Sequence, residues 1–124
     1  EVLDDAADGL PSVITRGEDE FMVLHAAVAK PLLAAASPRP EVVAEDGGWS
    51  VVLPGVPVAA DGLDLRQAVE SFKDLVRDYA DDWLTDDELR AAPNHRGNAA
   101  FVQMVDSFDD GELHEWVTGE PTSR

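Results

Sequence analysis

His25, His95 and His114 are the only imidazoles in a chain of 124 residues that also carries 26 acids and no cysteine. Proton-transfer, metal or nucleophilic chemistry would need such groups at set spacings. Two histidines four apart around a glutamate could hold zinc, a serine between glycines on a sharp turn could attack a carbonyl, and a glycine-rich loop could cradle phosphate. None of these patterns occurs. His25 ends an apolar run, His95 lies in the turn-forming PNHRGN (93–98), and His114 follows Asp110 by four residues. Each is more readily a stitch in local structure (a turn, a cap, or a pair with Asp110) than a catalytic base. Two-metal hydrolysis needs carboxylates converging within about 4 Å of shared ions. The segment 48–53 offers Trp, Ser, Val and Leu where inward acids would be required, and Asp61 and Asp64 flank a turn. These residues point away from an enzyme, and no metal or cofactor is expected.

Charge is the chemistry the chain does offer. Its 26 acids against nine bases leave a formal charge of −17. Such a chain repels nucleic-acid phosphates and anionic membranes at long range and favours a basic partner. The helix dipole sorts the acids, which stabilise a first turn and not a last one. Asp86, Asp87 and Glu88 behind Thr85, and Asp109 and Asp110 before the final helical segment, have structural reasons to be acidic. The column Glu70, Asp74, Asp78 and Asp82 recurs every four residues along one segment. Glu70 and Asp74 have Lys73 and Arg77 three residues on; Asp78, Asp81 and Asp82 have no base at +3 or +4 and stand at the wrong end of the dipole. A solvated face accounts for this column as well as a landing surface for a basic protein does. On the second reading the candidate partner-binding residues are Asp74, Asp78, Asp81 and Asp82, extended by Glu45 and Asp46. Trp116 joins them as an anchor if its ring is exposed; Trp49 and Trp83 read as core.

The elements that would position these residues follow from periodicity and punctuation. Length allows one domain, or two small ones sharing a core, and 44% apolar residues is a globular composition. The lack of cysteine fits a reducing cytoplasm, which is the expected location. No apolar run approaches the roughly eighteen residues of a membrane span. Residues 1–9 read as a helix stopped at Gly9, 12–15 and 21–24 as strands around Gly17, and 26–36 as a helix kinked or broken at Pro31. Ser37-Pro38-Arg39-Pro40 reads as a linker. A hairpin follows over 41–45 and 48–53, with Trp49, Val51 and Leu53 on one face, and 56–60 is a further short strand ended by Asp61-Gly62. Residues 64–84 are the strongest helix: Leu65, Ala68, Val69, Phe72, Leu75, Val76, Tyr79 and Trp83 fall at three- and four-residue steps, with Asp64 and Gln67 as a capping box. Thr85 with Glu88 predicts a second box opening a helix over 86–91, and 99–106 and 110–117 predict two more.

The opening block resembles the Phd/YefM (prevent-host-death) antitoxins through Gly9, Val13, Ile14, Thr15, Arg16, Gly17, Met22, Val23 and Leu24. By that comparison the chain begins partway along the family's first helix. The block EDGGWSVVLPGVPVAADG and the helix after it resemble the HicB antitoxin core, a partial RNase-H-like sheet, through Trp49, Pro54, Gly55, Asp61, Gly62 and Ala68. The two together, continuing through APNHRGN to LHEWV, resemble Phd-like antitoxins of RelB/RelE systems over about residues 1–118. The resemblance implies an α+β fold with a Phd-like dimerisation segment over 1–36, a HicB-like hairpin and long helix over 40–84, a helical extension over 85–118 and a tail over 119–124. It implies a homodimer that neutralises a cognate basic, RelE-like toxin and autoregulates its operon. Thr15 and Arg16 are then the dimerisation- or DNA-side candidates. The family's basic turn is here the acidic Gly17-Glu18-Asp19-Glu20, so operator DNA is expected only with a full N-terminal region. A DNA-binding transcriptional regulator, or a degenerate RNase-H-like or ligand-binding domain, are the alternatives.

Overall fold

The structure, a computed structural model, describes residues 4, 7–10 and 12–120. The chain is α+β, with two small antiparallel sheets, one long helix and a set of C-terminal helices. It divides into two compact units, 1–32 and 33–124.

The first unit holds the hairpin of β1 (Ser12–Arg16) and β2 (Asp19–Val23), paired from Ser12↔Val23 to Arg16↔Asp19. Gly17 takes φ +64° in the turn, which side chains resist. Alternation puts Ile14 and Phe21 on one face and Val13 and Met22 on the other, and all four are 42–62% exposed. A two-stranded hairpin with uncovered apolar residues on both faces is at best marginally stable in water. The helix expected over 1–9 lies largely outside the described residues; of it, Asp4 and Ala7 are helical, and Gly9 ends the turn at φ +81°. Helix α1 (Ala26–Ala35) runs unbroken through Pro31, and the division between units falls within it, after Leu32, rather than at Ser37–Pro40. Ser37 is buried and closes the end of α1 by donating from Oγ to the Leu33 carbonyl at 2.7 Å.

The second unit is a sheet of order β3-β4-β5 packed on α2 (Leu65–Thr85). Its strands are β3 (Glu41–Glu45), β4 (Gly48–Val52) and β5 (Ala59–Gly62), all antiparallel. β5 therefore sits three residues later than the expected 56–60 and includes Asp61-Gly62. Val56 and Val58 instead turn inward from an irregular segment closed by Leu53 N–H to Val58 O, and serve the core. Val51 and Leu53 face α2 and are buried. On the opposite face Ser50 is buried too, its hydroxyl donating to Asp61 Oδ1 at 2.5 Å.

Asp64 caps α2, accepting from Gln67 N–H at 2.7 Å, but Gln67 Oε1 reaches back to the N–H of Leu63 rather than to that of Asp64, so the box is displaced by one residue. The inward face of α2 carries Ala68, Val69, Phe72, Val76, Tyr79, Ala80 and Trp83. Leu65 and Leu75 lie at the margins of this stripe and are 39% and 41% exposed, contrary to the periodic reading. Beyond α2, α3 (Asp87–Ala91) and a 3-10 turn (Arg96–Asn98) lead to α4 (Ala99–Ser107) and α5 (Asp110–Thr118). These last two bury Phe101, Val102, Met104, Val105, Leu113 and Val117 in the same core. The cap of α3 is Asp86, which accepts from Glu88 and Leu89 N–H, and not Thr85; α2 continues through Thr85, whose hydroxyl bonds the Asp81 carbonyl one turn back. A full capping box, at a place the sequence reading did not assign one, is found at α5, where Asp109 and Glu112 exchange side-chain and backbone bonds.

Among the described residues Lys73 is the one base buried on the core face, at 4% exposure, and its ammonium meets Glu70 at 2.8 Å and Asp110 at 3.1 Å, tying α2 to α5. Burial lowers its pKa, but the hydrogen bonds and charges of Glu70 and Asp110 outweigh burial and raise it above the ordinary 10.5. A base whose pKa is raised on folding stabilises fully below its unfolded value and loses that contribution as pH climbs through the folded one. The stability difference between the native chain and Lys73→Met should therefore be constant near neutrality and change above pH 10.5. Urea unfolding between pH 7 and pH 12 checks this; a difference that stays flat through about pH 11 would deny the pair its role.

Candidate partner-binding surface

On a helix of about 100° per residue, Gln67, Ser71, Asp74, Leu75, Asp78 and Asp82 fall on one stripe of α2 roughly 100° wide. The buried face lies on the other side of the helix. Asp74, Asp78, Asp81 and Asp82 are all exposed. Among the described residues none of these four carboxylates makes an ion pair. Arg77, expected beside Asp74, turns inward and donates to the carbonyls of Val105 at 2.5 Å and Phe108 at 2.9 Å, closing the end of α4. Backbone carbonyls at a helix end compete successfully for a guanidinium whose alternative is a solvated carboxylate. Only Glu70 keeps the basic neighbour the sequence assigns it.

The dipole at the end of α2 is answered from outside the helix. Arg90 on α3 donates to the carbonyls of Trp83 and Leu84, pairs with Asp87, and lies 5.7 Å from the Trp83 ring centre. Spacing rules for three- and four-residue pairs miss such a contact, because Arg90 lies six and seven residues beyond the carbonyls it caps.

Two depressions border the stripe, one at each end of β5. The first, about 350 Å³, is lined by Pro57, Val58, Ala59, Leu75, Asp78, Tyr79 and Asp82. It is an apolar trough with two carboxylates on its rim. The second, about 430 Å³, is lined by Glu45, Asp46, Trp49, Asp61, Gly62, Leu63, Gln67 and Ser71 together with Gly47 and Gly48. Glu45 and Asp46 thus do not extend the Asp78–Asp82 rim directly; they belong to a second acidic recess, and Asp74 lies between the two along α2. Leu63, 80% exposed at its edge, and Leu75 in the trough are apolar contributors the sequence did not single out. Leu75 could have been found: it sits at the margin of the apolar stripe, on the side where the acids begin.

Trp116 is partly buried, stacked on Phe72 at 6.3 Å and tilted against Phe101 at 5.8 Å. It lines neither depression. Its uncovered edge faces a recess of about 240 Å³ formed with Ala34, Ala35, Ser37, Arg39 and Pro40. Thr15 and Arg16 are exposed in the first unit, opposite Glu20 and Asp19 in the hairpin register, so Arg16 stands beside an acid.

The histidines are held in local structure. His25 Nδ1 accepts from Ala27 N–H at the start of α1. Tyr79 Oη accepts from Asn98 Nδ2 at 2.9 Å and shares a hydrogen bond with His95 Nδ1 at 2.7 Å, while the His95 carbonyl accepts from Trp83 Nε1. His114 faces Glu70 at 3.9 Å and not Asp110, whose carboxylate is taken by Lys73. Among the described residues, no three His, Asp or Glu side chains converge as metal ligands would, and no helix is long and apolar enough to cross a membrane.

No family model matches the chain, and no curated protein matches it in sequence. Among solved structures it is similar in fold to a protein of Syntrophomonas wolfei subsp. wolfei, described as the antitoxin part of a proposed toxin/antitoxin system. The likeness has a TM-score of 0.74 at 20% identity and covers 92% of this chain and 84% of that one.

Proposed function

We propose that this chain is the antitoxin of a type II toxin–antitoxin pair, a binding protein without catalysis of its own that neutralises a basic, RelE-like toxin by direct contact in the cytoplasm. The observation that carries this reading is the trough rimmed by Asp78 and Asp82 on a stripe whose acids form no ion pair among the described residues. The fold likeness to the Syntrophomonas wolfei antitoxin supports it. Apolar side chains of the toxin fill the trough against Leu75, Val58 and Tyr79, while its lysines and arginines meet the rim. Opposed potentials of this kind raise the rate of encounter more than the final affinity. The uncovered hairpin of the first unit supplies the homodimer contact, since a second copy would bury Val13, Ile14, Phe21 and Met22. Autoregulation through operator DNA would require residues other than the acidic turn 17–20.

The double variant Asp78→Lys/Asp82→Lys tests the reading against the product of the adjacent reading frame, which the reading expects to be short and basic. In stopped-flow mixing at low salt, association should slow by roughly tenfold or more, with the unfolding midpoint nearly unchanged because neither carboxylate forms an ion pair among the described residues. An unchanged rate removes the rim from the mechanism. Failure of the native chain to bind that protein at all removes the antitoxin reading.

A further inference from the structure

β3 and β5 are the two edges of one sheet, and they end it differently. β5 has four residues, small side chains, an aspartate within it and Pro57 two residues ahead. Short length, inward charge and proline are the devices that keep an edge from recruiting another strand. β3 is one residue longer, its proline (Pro40) stands before the first paired residue, and its two charges, Glu41 and Glu45, stand at its ends, so Val42–Ala44 is left as an uncharged, proline-free stretch. Its five residues run in unbroken register with β4, from Glu41↔Val52 to Glu45↔Gly48, so no bulge turns it away. All five are exposed, Val42 at 39% and Val43 at 42%. Alternate residues of an antiparallel edge point their N–H and C=O groups outward, and no backbone bond among the described residues reaches β3 from outside its pairing with β4.

We propose that β3 is a docking edge that captures, antiparallel, an extended protein strand with a basic residue at each end and an apolar centre. The charge pattern selects this occupant. Two copies of β3 paired about Val43 would set each Glu41 opposite the other copy's Glu45, and like charges directly opposite destabilise a strand pair. Lysine or arginine four residues apart on the incoming strand turns both contacts into attractions. Its centre covers apolar residues on both faces of the sheet: Val42 and Ala44 share the side of Val51 and Trp49, and Val43 lies on the other. The edge is distinct from the trough at Pro57–Ala59, and capture there does not depend on the role assigned to Asp78 and Asp82.

Isotope-labelled full-length chain titrated at low salt with two capped peptides, Ser-Lys-Val-Thr-Val-Lys-Ser and its glutamate counterpart Ser-Glu-Val-Thr-Val-Glu-Ser, tests the proposal through amide chemical shifts. The lysine peptide should give saturable shifts at 41–45 and along β4, with an affinity at least about fivefold above that of the glutamate peptide. Glu41→Lys/Glu45→Lys should reverse that preference, and Asp78→Lys/Asp82→Lys should leave it unchanged, so failure here is separable from failure of the α2 rim. Equal shifts from both peptides, shifts confined to α2, or no shifts would each overturn the proposal. So would shifts at 41–45 that grow with protein concentration alone, since the occupant would then be a second copy.

Discussion

Gly62→Ala should cost about 3 kcal/mol of folding stability, the upper end of what an added methyl does in a packed site. A Cβ at residue 62 would stand 2.9 Å from the Cα of Ala68 and closer still to its amide nitrogen. Both are main-chain atoms of the first turns of α2, so no side-chain rotation relieves the contact. The sheet and the helix would have to part at the place where β5 and α2 pack most densely. Gly48 repeats the constraint one strand over, since its Cβ would lie 2.5 Å from the Gly62 carbonyl oxygen. Gly97→Ala is the control: nothing lies within 4 Å of its Cβ and its φ is not positive, so its stability should stay within about 0.5 kcal/mol of native. Urea denaturation of the three chains measures this. A Gly62→Ala midpoint equal to that of Gly97→Ala would show that β5 does not lie this close to α2.

Phe72→Ala should cost more, roughly 3–5 kcal/mol. The ring is wholly buried at the middle of α2, in one core with Val51 of the sheet and stacked on Trp116 of α5. Its loss would leave a cavity that sheet and helices reach from different directions, so collapse from any one side is incomplete. For a domain with a typical total of about 5–15 kcal/mol, that is a large share. Near-native thermal stability would place the centre of the core elsewhere. Trp116 fluorescence gives a local readout, because its stacking partner is removed while Phe101 remains at 5.8 Å.

The long helix was legible because its apolar period is strong and its cap is local: Asp64, Val69, Phe72, Val76 and Trp83 needed no distant information. The turns at Gly17 and Gly47 were legible for the same reason. What the sequence concealed was long-range. Lys73 looks like a surface base until α5 brings Asp110 across 37 residues to meet it. Arg77 looks like a partner for Asp74 until the end of α4 presents two carbonyls. Thr85 has the form of a cap, yet Asp86 holds the place because a carboxylate accepts two amides there and α2 has not finished. Strand β5 was displaced because Val56 and Val58 alternate like a strand while their backbone closes a tight irregular loop. At the candidate surface the acids were readable from their four-residue period. The trough was not, because Pro57, Val58 and Tyr79 come from segments that spacing does not relate.

Lys73 and Arg77 face inward on the same helix whose acids face outward. The inward pair is held by the architecture and has little freedom to drift. Of the outward acids, Asp74, Asp78, Asp81 and Asp82 form no ion pair among the described residues, so substitutions among these four should leave the scaffold intact. On the function proposed above, changes among these acids would alter the choice of counterpart while leaving the scaffold that carries them folded.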